Sequence, residues 1–171
     1  HTCGFAMKLP ETRLFPHDKL VQADDVDAFR EAFRSSGVSE LATWLTAEKY
    51  DTFSWSPLHF VVGNNALKIM DWILEEMAQS LQGSDDRDLR NAYIKLFTTK
   101  SSDLEIPLHL AAQQGQVEMI DRLLSVMEEK FPGEIGKLQC ASKNSEGSSA
   151  LLVAVEHVGG KPVEKVEKML E

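Results

Sequence analysis

"IPLHLAAQQGQVEMIDRLL", residues 106–124, joins a short apolar run to a polar turn and then to a longer run with apolar residues at helical spacing. Upstream, residues 56–65 repeat the opening as "SPLHFVVGNN", with proline, leucine and histidine in the same order. Three unlike residues aligning together with a turn-like end argue against coincidence, and internal repeats are the first thing to look for. Two fainter copies flank the pair. "FPHDKLVQAD" (residues 15–24) keeps the proline, and "SALLVAVEHV" (residues 149–158) replaces it with Ala150 but keeps small and aliphatic residues at Leu151, Ala154 and Val155. The four copies begin 41, 50 and 43 residues apart.

The segments that follow repeat as well. "DVDAFREAF", "ALKIMDWIL", "QVEMIDRLL" and, after an irregular stretch, "PVEKVEKML" each place apolar residues on one helical face, as in Val117, Ile120, Leu123 and Leu124. Each unit therefore reads as a short helix, a tight polar turn and a longer amphipathic helix running back. Proline suits the first turn of the short helix, where its missing N–H has no intrahelical partner. Gly115 and Asn65 suit the turn, because positive φ costs glycine little and asparagine tolerates it.

This pattern resembles the ankyrin repeat, whose signature is T-P-L-H-x-A followed by helix–turn–helix. Residues 106–124 depart from it mainly at Ile106 and Gln116. "KNSEGSSALLVA" is similar to the family's loop leading into a repeat, with Asn144 and Gly147 at its polar turn positions and Asp51 at the matching place one copy earlier. The resemblance implies an all-α fold, an ankyrin-repeat solenoid, over residues 14–171, in units of about 14–50, 51–100, 101–143 and 144–171. Residues 1–13 are set aside as an N-terminal extension; "HTCGFA" reads as a cloning remnant, with Met7 a possible native start. The spacings exceed the family period of about 33 residues, and all the excess falls after the second helix of a unit. We therefore expect helical inserts there. "SGVSELATWL" spaces Val38, Leu41 and Leu45 on one face, and "SDDRDLRNAYIKLF" has Ser84 as N-cap and a stripe at Leu89, Ala92, Tyr93, Leu96 and Phe97. "PGEIGKLQCA" holds a shorter one. Units of this length also fit armadillo or HEAT repeats; the P-L-H motif with its turn decides for ankyrin.

Composition narrows the function. The chain has 171 residues, 43% hydrophobic, with a formal net charge of −9, and no basic run exceeds two adjacent residues. Disorder is excluded, and nucleic acid or an anionic membrane is a poor partner. No apolar run approaches a membrane span, so no membrane insertion is expected. Two cysteines, Cys3 and Cys140, make neither a disulfide framework nor a zinc spacing, which favours a reducing, intracellular setting, bacterial or host cytosol alike. Of the five histidines, His59 and His109 stand at matching repeat positions, so they occupy separate sites rather than forming a catalytic or metal pair. Each is expected to bond backbone groups of adjacent loops, as the family's P-L-H histidine does. No nucleotide, zinc-protease or serine-hydrolase motif is present, and no catalytic residue, metal, cofactor or small-molecule substrate is assigned.

What remains is surface. The resemblance implies a concave groove, lined by loop tips and short helices, that binds another protein. Carried over residue by residue, the position two before each short helix's first residue is Trp55, Glu105 and Ser148. The positions closing the short helices are Gly63 and Asn64, Gln113 and Gln114, and Glu156 and His157, and Phe53 stands beside Trp55. Two readings stay open for Trp55: packing against the neighbouring loop, on Phe53 or Tyr50, or an aromatic anchor of the groove, in which case its replacement by alanine is expected to weaken binding with the melting temperature nearly unchanged. Trp44 and Trp72 are assigned to the core. The other functional class in view is a regulatory or targeting segment of a larger enzyme or bacterial effector. Leu151–Leu152–Val153 reads as an internal rather than a capping surface, so a further repeat or domain is expected beyond the fourth unit.

Overall fold

Prolines set where the two central short helices begin. In the computed structural model, which describes residues 14–134, 136 and 142–156, Pro57 and Pro107 are the first residues of α4 (Pro57–Gly63) and α7 (Pro107–Gln114). Their fixed φ suits that position, and no donor is lost there. Around them the described helices are α1 (Asp18–Gln22), α2 (Val26–Ser35), α3 (Leu41–Thr46), α5 (Leu67–Leu81), α6 (Arg87–Thr98), α8 (Val117–Lys130) and α9 (Ala150–Glu156). In the first copy the helix starts two residues after Pro16, at Asp18. Asp24, Asn65 and Gly115 follow the short helices at the same register, and all three are left-handed, with φ of 50°, 52° and 68°. That shared turn confirms the alignment of the weak first copy with the strong ones.

Short helices stack in the order α1, α4, α7, α9, and long helices in the order α2, α5, α8, with α1, α4 and α7 each packed on the helix that follows its turn. The result is a two-layer helical solenoid, each pair burying its apolar face against its neighbours. Among the described residues, β-structure is limited to isolated bridges, Tyr50 with Trp55 and Lys143 with Ser149.

The inserts are helices that lie against the array. α3 packs on α4, α5 and α6, and α6 packs in turn on α5 and α7. Tyr93, Leu96 and Phe97 are buried, so the apolar stripe read from the sequence has the cover it needs. One detail differs: the N-cap of α6 is Asp86, whose carboxylate accepts the Asp88 and Leu89 amides, while Ser84 sits outside and accepts the Asp86 amide. An aspartate carries a full charge to the positive helix end, and the helix starts where that cap is available. The insert read in "PGEIGKLQCA" and the long helix read in "PVEKVEKML" lie outside the described residues, apart from scattered positions at the start of the former.

Trp72 is buried and Trp44 half-buried; with Phe29, Phe33 and His17 they form a continuous aromatic cluster joining the first and second helical pairs. His17 turns its ring toward Phe15, Phe29 and Trp44, and burial lowers its pKa.

Candidate partner-binding groove

Loop stacking builds the groove. The Ser102 amide donates to the Phe53 carbonyl at 2.7 Å, and one unit on, the Ser145 amide donates to the Asp103 carbonyl at 2.8 Å. These are equivalent bonds between successive loops, so the tips advance in fixed register. Histidines lock the same register from inside. His59 Nε2 donates to the Glu105 carbonyl at 2.8 Å, and His109 Nε2 to the Ser148 carbonyl at 3.1 Å. Each Nδ1 then accepts from a backbone amide, Ser56 at 3.2 Å and Ile106 at 3.3 Å, which assigns the neutral tautomer protonated on Nε2. Both rings are buried. Burial pushes His59 down to about 4, the bond to the Glu105 carbonyl opposing and nearby Lys49 reinforcing the shift; His109 is lowered for the same first reason. Buried, neutral and fully bonded within the fold, these imidazoles are joints between units.

The stacked loops and short helices enclose a concavity of about 440 Å³. Phe53 and Trp55 come from the second lead-in loop, Asp103 and Glu105 from the third, and Asn144, Ser145 and Glu146 from the fourth. Leu110, Gln113 and Gln114 of α7 and Val153 of α9 form the floor. Five of the residues selected from sequence thus come together: Phe53, Trp55, Glu105, Gln113 and Gln114. Gly63 stands next to them as a support, because Trp55 lies across it; a Cβ there would meet the indole at 3.2 Å. Asn64 is turned to its own helix, its side-chain amide donating to the Phe60 carbonyl at 2.9 Å. Ser148 is buried and spends its backbone on the loop, its carbonyl taking His109 and its amide donating to Asn144 Oδ1 at 2.9 Å. Glu156 ends α9, its side chain and His157 lying outside the described residues.

Sequence reading did not select Leu110, Val153, Asn144, Ser145 or Glu146 for the groove. Register held the signal for the first two, since Leu110 and Val153 stand at the same place in their short helices as Phe60. Glu146 and Ser145 needed the loop ladder, which is a tertiary feature. Asp51 lines a separate cleft with Leu14, Phe15 and Leu20.

Trp55 is half-buried rather than a free-standing anchor. Its ring packs edge-on to Phe60 (centroids 5.2 Å apart), near-parallel to His59 and tilted toward Phe53, and its backbone pairs with Tyr50 at 2.9 Å in both directions. Truncating it therefore removes core-edge packing as well as groove surface, and the expectation of an unchanged melting temperature is replaced by one of a lowered one.

The solenoid and its loop ladder define the class: a repeat protein with a lined inner face. The ankyrin-repeat family model matches residues 103–126, from the third lead-in loop into α8. A chain in the crystal structure of the yeast ribosomal protein Rps3 in complex with its chaperone Yar1 is similar over 90% of this chain and 87% of that one, with a TM-score of 0.63 at 16% sequence identity. At that identity the likeness concerns the fold. No curated protein matches the sequence. Residues 103–126 thus carry an ankyrin repeat, and the described residues fold as an all-α solenoid of such helix–turn–helix units. Among the described residues no helix is long and apolar enough to cross a membrane, and no group of three His, Cys, Asp or Glu side chains is placed to hold a metal ion.

Proposed function

We propose that this array is a protein–protein interaction module that seats its partner in the groove between the second and fourth lead-in loops. One observation carries the reading: residues from three successive loops and two short helices, separated by up to a hundred positions in sequence, converge on one concavity with an exposed aromatic, Phe53, at its edge. Such convergence needs the whole stack, and it presents contact area that no single repeat supplies. The chain of similar fold comes from a complex of a ribosomal protein with its chaperone, which supports a role in holding another protein. We further read residues 14–171 as one array in the four units given above, working inside the cell, without a reaction or cofactor of its own. The test is site-specific photo-cross-linking from Gln113 in the groove and from Glu128 on the exposed side of α8. Cross-links to a partner from Gln113 and none from Glu128 are expected; cross-links from Glu128 alone would place the interface on the other layer and overturn the reading.

A further inference from the structure

The groove carries a charge pattern that selects its occupant. Asp103, Glu105 and Glu146 come from two neighbouring loops and line the same concavity, with no lysine or arginine among the lining residues. The Asp103 and Glu146 carboxylates meet no cation among the described residues, whereas other acids of the molecule do, Asp71 holding Arg122 in a two-bond pair and Glu118 facing the same guanidinium. Carboxylates gathered around a concave, partly desolvated floor repel one another and are stabilised by whatever positive charge enters. The chain as a whole carries a formal net charge of −9, so the long-range field points the same way.

Beside these carboxylates stand two aromatic rings. Phe53 is 51% exposed and lies 5.8 Å, centroid to centroid, from Trp55. A floor of Leu110 and Val153 with the Gln113 and Gln114 amides completes the surface. A planar cation satisfies both halves at once: a guanidinium lies flat on an aromatic ring while its edge N–H groups donate to carboxylates. An ammonium is a compact, strongly hydrated charge and answers only the acidic half.

We propose that the groove recognises an arginine-bearing basic segment of a protein partner, one guanidinium stacking on the Phe53–Trp55 rings and bonding the Asp103, Glu105 and Glu146 carboxylates. The inference rests on the reading of the groove as a protein-binding surface and names the chemistry of what fills it. Electrostatic attraction brings the segment in, and the aromatic shelf distinguishes arginine from lysine.

Calorimetric titration of the full chain with a twelve-residue peptide alternating Arg and Gly, and with its all-Lys counterpart, tests it. Tighter binding of the arginine peptide, by about fivefold or more, is expected. The triple variant D103N/E105Q/E146Q should lose at least tenfold in affinity, whereas D85N/E75Q/E128Q, with the same change in net charge on other surfaces, should stay within twofold; circular dichroism checks that both fold. Phe53→Ala should bring the two peptides to equal affinity. Absent arginine-peptide binding, equal losses in the two triple variants, or no preference for arginine each overturns the proposal. The cross-linking experiment separates this from the underlying reading. A partner captured from Gln113 through an acidic or uncharged segment sinks the arginine assignment alone, and absence of groove cross-links sinks both.

Discussion

Residue 18 of the first helical pair is an aspartate that accepts a bond from Gln22, one turn along its own short helix. At the same register in the second and third pairs stand His59 and His109, and each reaches across to a carbonyl of the next loop. Lacking that reach, the first junction is held differently. Phe29 is enclosed by Trp44, Trp72 and His17, Phe15 stacks on Phe60 at 4.5 Å, and the Asp24 carboxylate accepts the Lys68 and Ile69 amides at 3.0 Å each. Those amides belong to the first turn of α5, which has no side-chain cap of its own, so one unit caps the helix of the next. The difference shows that a repeat array needs its joints made but not made alike. Where the P-L-H histidine is present, backbone joins to backbone; where it is missing, aromatic packing and a carboxylate do the joining.

The largest effect should come at the aromatic junction. Phe29→Ala empties a fully buried site, and such truncations cost about 3–5 kcal/mol. Because an array unfolds from its weakest interface, α1 and α2 should lose amide protection while α7 and α8 keep theirs. Hydrogen exchange followed by urea titration reads both; uniform loss across all helices would show that the junction is not separable from the rest.

The histidine junction should respond to acid instead. His59 has a folded-state pKa of about 4, below the ordinary value of about 6.5. Between these values the unfolded chain takes up a proton that the folded chain refuses, so stability is full above pH 6.5 and falls as the pH approaches 4, by about 3 kcal/mol at most. His109 and His17 are lowered in the same direction and add to the slope. Urea midpoints between pH 7.5 and 4.5 give the curve. His59→Gln should be less stable at pH 7 and show a shallower fall; an unchanged slope in that variant would remove His59 as its source.

Asp24→Ala should be milder, about 1–2 kcal/mol, the ordinary scale of a lost helix cap, with frayed amides at Lys68 and Ile69 as its local sign. Leu104→Gly should run the other way. Leu104 is held at φ 59° at the position where the next loop has Gly147 at φ 79°, and its side chain is 46% exposed. Relief of left-handed strain, offset by glycine's greater freedom when unfolded, leaves a gain of about 0.5 kcal/mol. A thermal midpoint raised by a degree or two would show it; a lowered one would mean that the Leu104 side chain stabilises the loop crest.

Much of this architecture was written in local chemistry. Pro57 and Pro107, the turn residues Asp24, Asn65 and Gly115, and the apolar stripes of α5, α6 and α8 are set by φ preferences and by period, which neighbouring residues impose on one another. The role of His59 and His109 as joints also followed from their matched positions, given the ankyrin resemblance. The same register places Trp55, Glu105, Gln113 and Gln114 at equivalent positions beside one concavity, with Phe53 as the neighbour of Trp55. Beyond nearest neighbours that legibility ended. That Asp24 caps α5, and that Ser148 is buried while Glu146 lines the groove, are decided by which loop lands beside which. The Asp24 contacts join residues 44 and 45 positions apart. Their energy exists only once the stack has formed, and no short stretch of sequence contains it.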